Sequence, residues 1–316
     1  MSTATLAGRS SGLSSSLGIR RLKNNIATGA VIACLLIAVV PLVWLLWTVI
    51  DRGWRVVVHA NWWTSDQRQT QDWRVGGGGA LHAILGTLEQ VLLCSVISVP
   101  IAVLAAIYLV EYGRGRFRSA VTFMVDILTG VPSIVAALFI YALFIIGLGQ
   151  NFAGVWASLA LVLLMVPVIV RTTEEMLKLV PNELREASYA LGVPKWKTIM
   201  RIVLPTAFSG ILTGIVLGVA RVAGETAPLL ILVHYNATRN ANLFSGDQAS
   251  LPLMIYNQFP NSGNAGSTRN PFTGVEEVTT NYAAGRMWGA ALTLIAFVMV
   301  LNLVARLIAR RSKVSN

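Results

Sequence analysis

Residues 208–233 read FSGILTGIVLGVARVAGETAPLLILV, an apolar run broken by one basic and one acidic side chain, Arg221 and Glu225. A run of this length can cross the hydrocarbon core of a bilayer, which takes ~20 apolar residues. A charge at the centre of such a span costs at least ~2.5–3.5 kcal/mol, so the few that occur usually face a bundle interior or a water-filled path. At spacing i, i+4 on one helix, Arg221 and Glu225 share a face and can neutralise each other. At 1.5 Å per residue Arg221 lies ~20 Å along the helix from Phe208, near the middle of the membrane. Two readings follow: an ion pair that only holds helices together, or a guanidinium set where an anion crosses.

The rest of the chain agrees with a membrane setting. Hydrophobic residues make up 55% of the 316 and charged ones 12%, against about 25% charged in a soluble domain; mean hydropathy is +0.65. Six segments are long and apolar enough to span: Ile26–Ile50, Leu88–Leu109, Val121–Gly147, Phe152–Val170, Phe208–Val233 and Met287–Leu307. The fold class expected is an all-α membrane protein. The first segment has the basic flank of a signal peptide (Arg20, Arg21, Lys23), but it is too long and lacks a small-x-small cleavage site, so it reads as a retained anchor. Residues 1–24, rich in Ser, Gly and Thr, read as a disordered cytoplasmic tail. The net charge of +11 does not indicate nucleic acid, because the basic residues punctuate apolar segments and form no patch interleaved with aromatics. Cys34 and Cys94 sit inside apolar runs without metal-ligand spacing and read as packing thiols.

Lys and Arg positions set the orientation. With a cytoplasmic amino terminus, seventeen of the 25 basic residues fall inside, seven (among them Arg52, Arg74, Arg239 and Arg286) outside, and Arg221 within the membrane. That bias places both termini in the cytoplasm. The domain reading is a membrane domain over 25–311 with a cytoplasmic loop at 171–206, outer loops at 51–84 and 235–286, and a short cytoplasmic tail at 312–316. Trp44, Trp47, Trp54, Trp62 and Trp63 crowd the outer end of the first span, as an interfacial belt does.

The cytoplasmic loop carries its own helix signals. Asn182 can cap a helix beginning at Glu183, and Gly192 can end it in the left-handed conformation. Pro194 suits the first turn of a second helix, expected to stop near Leu204 because Pro205 disfavours a helical residue before it. Within these helices the order is Glu186-Ala187-Ser188, three residues, Gly192, nine residues, then Ile202-Val203-Leu204-Pro205.

That spacing resembles the EAA loop of permease subunits in ATP-binding-cassette importers, whose usual form is Glu-Ala-Ala, three residues, Gly, nine residues, Ile-x-Leu-Pro. The departure is Ser188, where the family commonly has Ala; Ser is small enough to keep the packing. The resemblance implies a type I importer permease fold with six transmembrane helices, and a first loop helix that docks on an ATPase subunit, with Glu186, Ala187, Gly192, Leu204 and Pro205 in the coupling motif. Arg221-Val-Ala-Gly224-Glu225-Thr226-Ala227-Pro228-Leu-Leu looks like the fifth-span signature of phosphate importer permeases, its ending like the A-type subunit. Ile107-Tyr108-Leu-Val-Glu111-Tyr112-Gly113, Asp126-Ile-Leu-x-Gly130-Val131-Pro132-Ser133-Ile134 and Arg171-Thr172-Thr173-Glu174 agree. The likeness covers about residues 80–310, and in the loop 235–286 Leu251-Pro252 is its best anchor.

Other polar residues have plainer readings. Asp126, near the cytoplasmic start of the third span, suits a helix amino terminus. Glu89 can snorkel to water. Arg171 ends the fourth span, where it serves as a positive-inside anchor or, by the resemblance, lines an inner vestibule. Gly130 and Pro132 kink or closely pack the third span, and Gly224 admits a neighbouring helix or opens the backbone beside Arg221. His59, His82 and His234 are scattered and suggest no metal site. No segment has the Gly-x-x-x-x-Gly-Lys-[Ser/Thr] pattern of a phosphate-binding loop; Gly149 and Gly154 are followed by Val155 and Trp156.

The expected protein is therefore a non-catalytic, multi-pass subunit in the cytoplasmic membrane of a prokaryote. By the resemblance it carries phosphate, with Arg221, Glu225 and Arg171 along the pathway. Its partners would be a homologous C-type permease subunit, two ATPase subunits, an extracytoplasmic phosphate-binding protein and membrane lipid, with no nucleic acid. It would bind no cofactor itself, ATP and Mg being held by the ATPase subunits. Charge and spacing do not separate phosphate from sulfate or molybdate, and a secondary anion transporter is the other class that carries such a pair; it needs no ATPase-docking loop and often shows repeated halves.

Overall fold

A computed structural model describes residues 11–68, 78–263, 267–269, 276–278 and 282–314; Arg9, Arg74 and the first ten residues of the expected tail lie outside them. The chain divides into two compact units, Met1–Asp51 and Arg52–Asn316. Helix α1 (Ser11–Val57) takes in residues 11–51 of the first unit and residues 52–57 of the second. Residues 11–24 are helical where a disordered tail is expected.

The second unit continues with α2 (Ala60–Thr64), α3 (Leu81–Ile107) and a π-helical turn at Tyr108–Tyr112. Then come α4 (Gly115–Gly130), α5 (Ser133–Ile140), a second π-helical stretch at Tyr141–Gly147, and α6 (Gly154–Lys178). After α7 (Asn182–Ala190) and α8 (Lys195–Thr198), a third π-helical turn, Ile199–Val203, leads into α9 (Leu204–Ala223). The chain ends with α10 (Ala227–Leu232), α11 (Leu251–Gln258), an antiparallel ribbon of β1 (Ser267–Arg269) and β2 (Glu276–Val278), and α12 (Tyr282–Val314). Among the described residues, five helical segments are long and apolar enough to cross a membrane: Arg20–Val57, Leu81–Tyr112, Gly154–Lys178, Lys195–Ala223 and Tyr282–Ile308.

The sixth expected span, Val121–Gly147, is broken. Segments Gly115–Gly130 and Ser133–Gly147 meet at 107°. Val131 and Pro132 are extended (ψ 123° and 140°), as the residue before a proline and a proline with no N–H to give a helix commonly are. Gly130 and Pro132 therefore mark a sharp bend, with nothing within 4 Å of a side chain added at Gly130.

Pro205 behaves in the opposite way. The helix runs through it from Lys195 to Ala223, where sequence reading stops it near Leu204. The preceding π-helical turn is the reason: Leu204 donates its N–H to the Ile199 carbonyl, one residue further back than in an α-helix. The wider turn lets Pro205 enter at the first turn of α9, where its missing N–H is least costly.

The core is built by α3, α6 and α9 around Ala102, Leu161, Met165, Ile169, Val203 and Ile211. Gly210, Gly214 and Gly218 form a small-residue stripe on α9, and a Cβ at each would run into Met176, Thr172 and Ile169 of α6. Close backbone approach through such stripes drives helix association where lipid offers no hydrophobic gain. Pro41, Pro100 and Pro167 lie inside α1, α3 and α6.

A second cluster joins α2, α3, α11 and α12. Trp62, expected in an interfacial belt, is 2% exposed and donates its indole N–H to Thr293 Oγ1 at 2.9 Å, packed over Gly289; Trp44, Trp47, Trp54 and Trp63 are exposed as that belt requires. Within the expected outer loop 235–286, residues 248–254 are buried. Ser250 caps α11 by accepting from the Leu253 N–H at 3.4 Å, and the Leu251 N–H donates to Thr87 Oγ1 of α3 at 2.8 Å. Gln248 stitches the same segment to α3, accepting from Gln90 Nε2 at 2.9 Å and donating to Glu89 Oε2 at 2.6 Å. Glu89 thus holds a protein partner where snorkelling is expected. Arg286, assigned by sequence to the outer flank of the last span, lies buried within α12 and donates to Gln258 Oε1.

Candidate functional site

Helices α7 and α8 form a compact pair at one end of the bundle. Gly192 has φ +73°, and the N–H groups of Gly192 and Val193 donate to the carbonyls of Tyr189 (2.9 Å) and Ser188 (3.2 Å). These are the two bonds of a Schellman turn, so Gly192 takes the left-handed position its spacing predicts. Asn182 does not cap α7: the helix begins with it, after Pro181, and its side chain accepts from Arg185 Nη1 at 3.2 Å. Ser188, the departure from the Glu-Ala-Ala pattern, is buried and shares a 2.8 Å hydrogen bond with Thr198 Oγ1 of α8. The hydroxyl pins the two helices together.

The rest of α7 faces outward. Glu186 and Ala187 are exposed, as are Leu184, Tyr189, Trp196 and Leu191, the last at 82%. Apolar side chains so presented beside two carboxylates, Glu183 and Glu186, suit contact with another protein. Leu204 packs against the core of α3, α6 and α9, and Pro205 lies exposed in the first turn of α9. The sequence motif therefore splits into an outward-facing part and a part that ties the loop to the bundle.

Sequence reading missed the anchor of this pair. Arg185 Nη2 reaches Glu111 Oε1 at 2.9 Å, with side-chain exposures of 12% and 5%. Its Nε also donates to Glu111 Oε1 (3.1 Å), and Nη2 and Nη1 donate to the carbonyls of Leu177 (2.9 Å) and Val180 (2.7 Å). From the other helix, Lys195 Nζ donates to the Glu111 carbonyl and sits 4.8 Å from the centre of the Tyr112 ring. The available signal was an acidic residue immediately after an apolar span, in a segment noted only for its family likeness.

The Arg221–Glu225 pair is looser than a shared helix face implies. Helix α9 ends at Ala223, Gly224–Thr226 form a break, and α10 starts at Ala227 with Pro228 in its first turn. Arg221 Nε lies 3.9 Å from Glu225 Oε1, with side chains 53% and 21% exposed. Beyond its own chain neighbours, a side chain at Gly224 would meet only the Arg221 carbonyl, at 3.8 Å. Among the described residues nothing else comes within 4 Å of that position, which favours the opening of the backbone beside Arg221 over close helix packing. On α9, Thr213, Leu217 and Arg221 are exposed at successive intervals of four, so the guanidinium heads a stripe along one face.

Arg171 belongs to a different cluster. It bridges Asp126 of α4 and Glu174 Oε2 (2.7 Å), and Lys178 Nζ holds Glu174 Oε1 at 2.7 Å. Two cations and two carboxylates thus offset one another. Asp126 lies in the second half of α4, not at a helix amino terminus, because the helix starts at Gly115; its carboxylate is balanced by Arg171 rather than by a helix dipole. Beside this cluster, a cleft of about 780 Å³ opens between α6, α9 and α12, lined by Thr172, Glu175, Thr213, Leu217, Asn302 and Arg306 among others. It shares Thr213 and Leu217 with the stripe below Arg221.

At the opposite end, Tyr235 donates to Gln67 Oε1 at 2.6 Å and meets His82 Nε2 at 3.0 Å. Burial raises the Tyr235 phenol above its ordinary range. No group of three or more His, Cys, Asp or Glu side chains suited to a metal occurs among the described residues.

The structure thus combines membrane-length helices, an arginine exposed beside a helix break and an outward-facing helix pair at one end. Residues 98–314 match the family described as binding-protein-dependent transport system inner membrane component, and the chain belongs to it. It is 51% identical over 289 residues to the phosphate transport system permease protein PstA 1 of Mycobacterium tuberculosis, covering 92% of this chain and 89% of that one. Against the PstA of Yersinia pestis the identity is 38% over 93% of this chain and 92% of the other. Among solved structures, the fold is shared with a bacterial alginate transporter (TM-score 0.59, 13% identity, 94% and 96% coverage). It is also shared with the MetNI methionine transporter in an inward-facing conformation (TM-score 0.53, 18% identity, 74% and 94% coverage).

Proposed function

We propose that this chain is the A-type membrane subunit of an ATP-driven importer of inorganic phosphate. The observation that carries the reading is the 51% identity, across nearly the whole chain, to a relative named as a phosphate transport permease. The chain works with two ATPase subunits and a substrate-binding protein, and pairs in the lipid bilayer with a homologous C-type permease so that the path runs between the two. The permease is not itself an enzyme; ATP and Mg stay on the ATPase subunits, and this chain holds no cofactor. Both termini face the cytoplasm, as the basic residues direct.

The geometry supports a division of labour. The exposed face of α7, with Leu184, Glu186, Ala187 and Leu191, receives the ATPase, and the Gly192 turn fixes the angle between α7 and α8. Closure of the ATPase pair then switches access between the two sides. The planar fork of the Arg221 guanidinium suits a tetrahedral oxyanion. A half-exposed guanidinium at a helix break attracts and steers the anion without trapping it, as conduction requires. Glu225, at 3.9 Å, is close enough to compensate Arg221 between cycles and loose enough to release it. Arg171 has its charge satisfied by Asp126 and Glu174; it shapes the inner mouth beside the cleft more than it binds the anion.

The test is uptake into vesicles reconstituted with all four subunit types and loaded with ATP. Phosphate should accumulate only with ATP and with every subunit present, and a tenfold excess of sulfate or molybdate should not compete. Competition by either oxyanion would reassign the substrate; uptake without the ATPase subunits would make the chain a secondary transporter.

A further inference from the structure

We infer that Glu111 is a positioning residue for coupling, the point at which movement of α7 enters the membrane core through α3. The inference rests on the reading of α7 as the ATPase-docking helix and adds the route by which its motion is passed on.

Three observations carry it. First, α7 has few holds on the bundle: Glu183, Leu184, Glu186, Ala187, Tyr189 and Ala190 are all exposed, and only Arg185 and Ser188 turn inward. Ser188 reaches Thr198, at the foot of the continuous helix Lys195–Ala223 that follows α7 in sequence, whereas Arg185 is the side chain that links α7 to α3. Second, that link is a part-buried, charge-assisted contact in which Nε and Nη2 of Arg185 both donate to Glu111 Oε1. Third, both helices of the loop grip the same spot. Lys195 of α8 takes the Glu111 carbonyl and lies over Tyr112. The spot is itself a π-helical turn at the end of α3, a feature that occurs often at functional sites. Helix α3 is continuous from Leu81 to Ile107, about 40 Å, and its far end is bonded to the buried segment through Thr87, Glu89 and Gln90. A displacement of α7 is thus delivered to a strut that runs the length of the bundle.

A merely structural ion pair would also weaken the protein when broken, so the test separates transmission from folding. The complete complex is reconstituted with Glu111→Gln, Arg185→Lys, Lys195→Met, or the exchanged pair Glu111→Arg with Arg185→Glu. Two quantities are measured: phosphate taken up per ATP hydrolysed, and cross-linking of a Leu191→Cys reporter to the ATPase subunit in a chain whose Cys34 and Cys94 have been replaced by alanine.

Glu111→Gln should lower uptake per ATP at least tenfold while the reporter still cross-links. Arg185→Lys, which keeps the charge but not the fork, should fall between Glu111→Gln and the unaltered complex, with Lys195→Met showing a smaller loss than Glu111→Gln. The exchanged pair should recover part of the ratio lost by Glu111→Gln. An unchanged ratio in Glu111→Gln and Arg185→Lys would overturn the inference, and so would a loss accompanied by failed assembly, which makes the pair structural. If the reporter does not reach the ATPase even in the otherwise unaltered chain, α7 is not the docking helix and both readings fall.

Discussion

Replacing Gly192 tests whether the loop is held by backbone geometry or by side-chain space. Its φ is +73°, and nothing lies within 4 Å of a Cβ built there. Bulk is therefore irrelevant in this chain, and chirality is the whole cost: a left-handed backbone disfavours an L-residue by roughly 1–2 kcal/mol, and Asn by less. That free energy opens the Schellman turn about five- to thirtyfold more often. The turn closes on two amides, Gly192 N–H to Tyr189 and Val193 N–H to Ser188. Hydrogen exchange of the peptide spanning residues 187–194, measured in lipid nanodiscs, reads this opening directly. Gly192→Ala and Gly192→Leu should lose protection by the same five- to thirtyfold factor, and Gly192→Asn by clearly less. If Leu proves far worse than Ala, or Asn as damaging as Leu, an unseen neighbour rather than φ governs the position and the backbone argument fails.

Three other outcomes follow from the geometry. Arg221→Lys should impair uptake and Arg221→Gln nearly abolish it, while melting temperature barely moves, because an exposed pair at 3.9 Å contributes at most about 1 kcal/mol; the double change Arg221→Gln with Glu225→Gln should fold normally without regaining uptake, and wild-type transport by it would reduce the pair to a structural one. Gly214→Val forces a Cβ to within 2.7 Å of Thr172 Cβ, an overpacking worth ~1–3 kcal/mol, whereas Gly224→Ala meets open space; thermal unfolding should separate the two by several degrees, and equal stability would refute the α6–α9 contact. In whole cells of a variant lacking Cys34 and Cys94, an impermeant thiol reagent should label Phe244→Cys and leave Leu191→Cys untouched; the reverse pattern would invert the orientation.

What the sequence discloses, and what it hides, divides along physical lines. Span existence is legible because ~20 apolar residues have few other uses, and the Gly192 turn because its spacing from Glu186 is a local signal. Helix ends are less so. Pro205 and Pro132 carry the same local chemistry, yet one lies inside a continuous helix and the other marks a bend of 107°; a π-helical turn at Ile199–Val203 makes the difference, and no residue type announces it. The Gly224 break was within reach, since Pro228 follows Gly224 closely in a run read as one helix. Partnerships between distant residues were out of reach: Glu111 with Arg185, Asp126 with Arg171, Gln248 with Glu89 and Trp62 with Thr293 depend on how helices pack, and Asp126, Arg171, Glu89 and Trp62 each had a plausible local explanation.

The unbroken run from Lys195 to Ala223 has a mechanical consequence. At 1.5 Å per residue it is a rod of about 40 Å, rooted beside α7 at one end and ending at Arg221 and the Gly224 break. A rod of that length works as a lever: tilting its foot by ten degrees sweeps the far tip through about 7 Å, more than the diameter of a tetrahedral oxyanion. Because the helix breaks just beyond the arginine, such a sweep need not be passed into α10. If the foot tilts, the guanidinium near the tip moves farthest, so a small nudge at the loop end would become a full stride at the charge.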